Sequence, residues 1–210
     1  YTIVLGIASI TSSFFDRRGH FAHACARAWS WLILATTGVE VTVQGLERVT
    51  PGKTYVFVAN HQSIYDIPCL FWNIPFQLRI IAKESLGRFP MLGPHLKRTG
   101  HMLVDRSRPE RTKIFSWAGR LTADGLSLIV FPEGTRSRDG RVARFKGGSF
   151  YLALEAGLHR RVAVTVGAGD ALLAVSGDEV DRLLLLAGDV DERAGQRLLA
   201  GVARDRAALS

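Results

Sequence analysis

The apolar run Tyr55–Ala59 leads directly into Asn60 and His61, and an acidic side chain follows at Asp66. Imidazole is the side chain best suited to moving a proton near neutral pH. On a regular helix, positions five apart point about 140° away from each other. His61 is therefore expected in the turn after a strand, with Asp66 in the first turn of the next helix. From there the carboxylate reaches back to one ring nitrogen and leaves the other free to accept a proton. This is the base and orienter of a catalytic triad without a protein nucleophile. A lone pair of this kind is as readily structural, but open α/β sheets place their sites at the carboxyl ends of strands, which favours the chemical reading.

A second block, Phe131–Ser137 (Phe-Pro-Glu-Gly-Thr-Arg-Ser), also follows an apolar run. Gly134 permits a tight backbone, Thr135 and Ser137 supply hydroxyls, and Arg136 can grip a phosphate with two parallel hydrogen bonds. An anion site is expected there. Lys83 and Arg106 follow two further apolar runs, so more cations are expected on the same side.

The elements that must position these residues alternate. Tyr1–Phe15 and Ala22–Val39 are apolar runs separated by Asp16–Gly19, and both read as helices. Val39, Val41 and Val43 alternate with polar residues up to Gly45, the period of a half-exposed strand. Buried strands are expected at Tyr55–Ala59, Leu78–Ala82, His101–Val104 and Leu126–Phe131, and helices at Ile64–Trp72, from Pro109 to about Ala123, and at Phe150–Ala156. Gly87–Pro94 reads as a loop with short helical turns. This order implies an α/β fold, a mixed and mostly parallel sheet flanked by helices, preceded by an N-terminal helical segment. Residues 1–38 form that segment and 39–210 a single domain. From Leu158 onward the chain has no Pro, Lys, Ile, Asn, Met or aromatic residue, a shift that points to divergence or to a tail read in a shifted frame.

Twenty-seven Lys and Arg against 19 Asp and Glu leave a net charge of +8 and favour an anionic partner. Four Trp and a mean hydropathy of +0.12 turn that preference toward a lipid surface. Lys and Arg are scattered without a nucleic-acid-binding motif, and there is no G-x-S-x-G nucleophile elbow. Cys25 and Cys69 stand in apolar company without metal-ligand spacing and are expected to be buried free thiols. The chain opens at Tyr1 rather than Met, and Tyr1–Phe15 is expected to be either the end of a longer transmembrane helix or a segment lying in the membrane interface.

In order and spacing these blocks resemble the glycerolipid acyltransferases, the family that includes the 1-acylglycerol-3-phosphate acyltransferases. N-H-x4-D is matched by Asn60, His61 and Asp66, and F-P-E-G-T-R-S without a gap by Phe131–Ser137. The K-E-x-L segment is matched at Lys83–Leu86 and D-R at Asp105–Arg106, and the likeness extends over roughly residues 20 to 157. The resemblance implies direct acyl transfer from acyl-CoA or acyl-carrier protein to 1-acyl-sn-glycerol-3-phosphate, with no cofactor and no metal. Another lysophospholipid, a lyso-aminolipid or glycerol-3-phosphate are the alternative acceptors, and a non-catalytic membrane-binding protein the rival class.

In that reading His61 is the base and Asp66 its orienter. Lys83 and Arg136 hold the acceptor's phosphate, Glu133 and Gly134 shape the pocket, and Asn60, Arg106 and Thr135 complete the substrate-binding set. Membrane phospholipid is the implied partner, on the cytoplasmic face of a membrane such as the bacterial inner membrane. The family's Val-Pro-Val-like strand corresponds here to Val162–Val166, without the proline.

Overall fold

The structure is a computed structural model of the 210-residue chain. It describes residues 1–146 apart from 17, 44, 45, 106, 140 and 144, together with two strand backbones further on. The expected helix at Phe150–Ala156 and the compositional change from Leu158 lie outside the described residues.

Helices α1 (Thr2–Ser12) and α2 (His20–Thr37) come first, as the two apolar runs require. Between them the Asp16 carboxylate accepts the Gly19 N–H at 3.0 Å and the Phe21 N–H at 2.7 Å, so donors at the start of α2 are satisfied. Gly38 ends α2 at φ 68°, where a side chain would be strained and glycine is not.

Then follow β1 (Val56–Ala59), α3 (Asp66–Asn73), β2 (Leu78–Lys83), a 3₁₀ turn (Glu84–Arg88), α4 (Leu92–Arg98), β3 (Met102–Val104), α5 (Arg111–Ala123) and β4 (Ser127–Val130). Strands β5 (Val162–Thr165) and β6 (Leu172–Ala174) are the last described elements. α5 starts two residues beyond the expected Pro109, and Trp117, Ala118 and Leu121 are its buried face.

The six described strands lie in the order β3-β2-β4-β1-β5-β6, every pair parallel except β5–β6. β1 and β4 are buried along their whole length, as central parallel strands covered on both faces must be. Their side chains alternate between two cores. Val56, Val58, Leu128 and Val130 pack with Trp117, Ala118 and Leu121 of α5. Tyr55, Phe57 and Ile129 pack on the opposite face with Phe71, Ile74, Phe76 and Leu78.

The strand expected at Val39–Gly45 does not form: residues 39–43 carry no strand, and Glu40, Val41 and Thr42 are all exposed. Alternation of side chains is only half of what a strand needs. The other half is a neighbouring backbone, and the sheet's order gives this segment none.

The connection leaving β1 crosses β4 to reach β2, whereas β5, the next described strand after β4, lies on the far side of β1. Strand order therefore reverses between the adjacent strands β1 and β4. A crevice opens at such a switch point, outside the carboxyl ends of the strands. Both sequence blocks emerge there. The register pairs Val58 with Val130 and Ile80 with Ile129, which brings the chain beyond β1, β4 and β2 out along one edge.

Candidate active site

His61 lies in the turn after β1, and Asp66 is the first residue of α3, where an acidic side chain also complements the helix dipole. His61 Nδ1 and Asp66 Oδ2 are 2.7 Å apart. The same oxygen accepts the N–H groups of Gln62 at 2.9 Å and Ser63 at 3.0 Å, so it fixes the turn as well as the ring. Both side chains are mostly covered, at 12% and 14% exposure. With Nδ1–H donating to Asp66, Nε2 carries the lone pair, and no described residue hydrogen-bonds to it. The expected base and orienter thus meet as their spacing required.

The block after β4 grips this turn. The Phe131 ring stacks on the His61 imidazole with centroids 4.1 Å apart and planes 22° from parallel. The Ser137 N–H donates to the His61 carbonyl at 2.7 Å. Glu133, 2% exposed, accepts the His61 N–H at 2.5 Å and the Ala143 N–H at 3.1 Å. Gly134 sits at φ 73°, and a Cβ there would come within 2.8 Å of the Lys146 amine. It is the positive φ that favours glycine, since the lysine's flexible end could move aside.

Arg136 and Thr135 are exposed beside the turn that Ser137 ties to His61, and Arg136 forms no ion pair among the described residues. Lys83 is exposed at the end of β2. Asn60 is buried at 8% exposure, with its Oδ1 buried and unpartnered. Arg106 lies outside the described residues. The geometry therefore joins His61, Asp66 and Glu133 directly and sets Arg136 alongside them.

Lys146 is a cation that sequence reasoning passed over. Its N–H donates to the Pro132 carbonyl at 2.9 Å, and its amine lies across Gly134. The Lys-Gly-Gly that it opens was the available signal, but nothing local ties it to a residue so far upstream.

A mostly parallel α/β sheet carries a His–Asp pair at its switch point, with basic residues beside the histidine. The sequence model of the family described as Acyltransferase matches residues 40–167, and the chain belongs to that family.

Among curated proteins the chain is similar to a 1-acyl-sn-glycerol-3-phosphate acyltransferase of Chlamydomonas reinhardtii. The two are 37% identical over 135 residues, which is 63% of this chain and 40% of that protein. A chloroplastic protein of the same name from Brassica napus is 32% identical over 163 residues, 74% of this chain and 47% of that protein. The chain thus spans less than half the length of these curated relatives. Among solved structures, the crystal structure of the 1-acyl-sn-glycerophosphate acyltransferase PlsC from Thermotoga maritima matches with a TM-score of 0.62 at 21% identity. That match covers 95% of this chain and 96% of that one, and it establishes the shared fold.

Proposed function

We propose that this chain transfers an acyl group from a thioester donor, acyl-CoA or acyl-carrier protein, to the free hydroxyl of 1-acyl-sn-glycerol-3-phosphate, giving phosphatidic acid. The observation that carries this reading is the His61 Nδ1–Asp66 contact of 2.7 Å, which leaves Nε2 free at the mouth of the switch point. The acceptor hydroxyl gives its proton to Nε2 as its oxygen attacks the thioester carbonyl. The carbon–sulfur bond then breaks, and the proton passes from the imidazolium to the departing thiolate. Atoms and charge balance without a covalent acyl-enzyme. Asp66 holds the tautomer and stabilises the imidazolium. In this reading Arg136, with Lys83 and Lys146, holds the acceptor's phosphate. The names of the curated relatives support this acceptor.

A panel of lysolipids incubated with labelled acyl donor tests the reading, and phosphatidic acid is the expected product from lysophosphatidate. Acylation of a lyso-aminolipid, another lysophospholipid or glycerol-3-phosphate instead would move the acceptor, and no acylation at all would leave a lipid-binding role. In the same assay Arg136→Ala raises KM for the phosphate-bearing acceptor about ten- to a hundredfold, the equivalent of ~1.5 to 3 kcal/mol for a lost charged hydrogen bond. Donor KM stays within about twofold. Equal effects on both substrates would place Arg136 at the donor.

We further propose that α1 and α2 lie on the membrane surface. Ile3, Val4, Ile7, Phe14, Phe15, Phe21 and Trp31 are each about half exposed or more. No described helix is long and apolar enough to cross a membrane. The opposite side of α1 docks on the fold: Gly6 lies against Met91, and Ser9 Oγ is 2.6 Å from His95 Nδ1. Apolar insertion is not weakened by salt, whereas surface charge is screened within ~10 Å at 0.1 M. High-salt washing should leave the chain on anionic vesicles and detergent should release it. Release by salt alone would reduce the attachment to charge.

A further inference from the structure

The second sequence block presents its anion-binding side chains outward, but Glu133 turns inward. We infer that Glu133 is a positioning residue for the base, not a contact to the acceptor; this deepens the transfer reading and rests on it. At 2% exposure its side chain faces protein, and both of its oxygens are committed: Oε1 to the His61 N–H at 2.5 Å, Oε2 to the Ala143 N–H at 3.1 Å. A carboxylate suits this task because it offers acceptors only. Its location also suits the chemistry, since a carboxylate facing the crevice would repel the acceptor's phosphate.

Glu133 does not act alone on His61. It takes the N–H of that residue, while the Ser137 N–H takes its carbonyl at 2.7 Å, so the backbone is held on both sides of Cα. Phe131 holds the ring by stacking at 4.1 Å, and Asp66 holds Nδ1. Three of these four holds come from the segment after β4. The position of Nε2 thus depends on the pairing of β1 with β4, carried through Phe131, Glu133 and Ser137. Misplacing a reacting group by about 1 Å can cost on the order of 10²-fold in rate.

Two measurements on the full chain test this. The first uses the wild type. Amide hydrogen exchange followed by NMR should find the His61 N–H strongly protected, although His61 lies in a turn. Exchange at the rate of an exposed turn amide would overturn the proposal. The second is kinetic. Glu133→Gln nearly preserves shape, but its amide offers one acceptor oxygen, so one of the two N–H groups faces an NH2. The expected result is a kcat ~10 to 100-fold lower, KM for acceptor and donor within about twofold, and loss of amide protection at His61 or Ala143. A raised acceptor KM with kcat unchanged would make Glu133 a substrate contact, and wild-type behaviour in both constants would also overturn the proposal. If Glu133→Gln does not fold, the wild-type exchange measurement decides. If the wild type acylates no lysolipid, the functional reading fails while amide protection still tests the clamp.

Discussion

His61→Ala is expected to abolish acyl transfer while leaving acceptor binding nearly intact. In the proposed mechanism the imidazole acts on the hydroxyl proton, so its loss removes a contribution made only as that proton moves, while binding of the phosphate is assigned to the cations. Loss of a general base costs ~10² to 10⁴-fold. Rebinding of lysophosphatidate, measured by equilibrium methods with no donor present, should change less than about twofold. Because His61 is mostly covered and packs against Phe131, a cavity is also opened, so the variant's thermal midpoint should be measured alongside. Near wild-type turnover in a folded His61→Ala would end the proposed mechanism. Loss of acceptor binding in step with turnover would move His61 from the chemistry to the binding site.

Acidification is expected to unfold the protein well before its carboxylates are neutralised. Three histidines lie beneath the N-terminal helices: His23 on α2, His95 on α4 and His101 just before β3. Burial first, and the Arg79 charge second, push His23 and His95 down to about 4. Burial likewise holds His101 well below the usual range, with Arg79, His95 and His23 adding to it. Arg27 and His20 also face His23, and among the described residues the acidic group acting on Arg79 is Asp16. Arg79 is itself 3% exposed, its Nε is unpartnered, and burial lowers it to about 10.

Each folded value lies below the unfolded value near 6.5, so the unfolded chain binds more protons as pH falls. Stability is therefore complete above about pH 6.5 and is lost as pH falls toward 4. For His23 and His95 the loss is on the order of 3 kcal/mol each, at ~1.4 kcal/mol per unit. That is a large share of the ~5 to 15 kcal/mol that holds a domain together. Urea midpoints measured from pH 7.5 to 4 should fall steeply over this window. His23→Phe removes one titrating ring that already packs against Phe71, so it should flatten the curve. An unchanged slope in that variant would place the acid sensitivity elsewhere.

The sequence was most informative where contacts are local. The His61–Asp66 pair was legible because five residues at a strand-to-helix turn leave few ways for the two side chains to meet. The buried strands β1 and β4 were legible because a parallel strand covered on both faces must be a continuous apolar run. Both N-terminal helices followed from their apolar runs. The alternation at Val39–Val43 misled because period two reports a backbone able to pair, and pairing needs a partner.

What only the tertiary structure decided is how distant segments act on one another. Arg79 sits within an apolar run that read as an ordinary strand, yet its surroundings are histidines drawn from α2, α4 and the approach to β3. Glu133 read as one more polar residue lining a pocket, and the fold turned it onto the backbone of a residue 72 positions earlier. By itself the sequence determined which groups can carry a proton and which can hold an anion, since those properties belong to side chains and their near neighbours. Which group holds which was decided by the packing of β1 beside β4, because contacts so far apart in the chain depend on the whole sheet's strand order and leave no periodic trace in either segment.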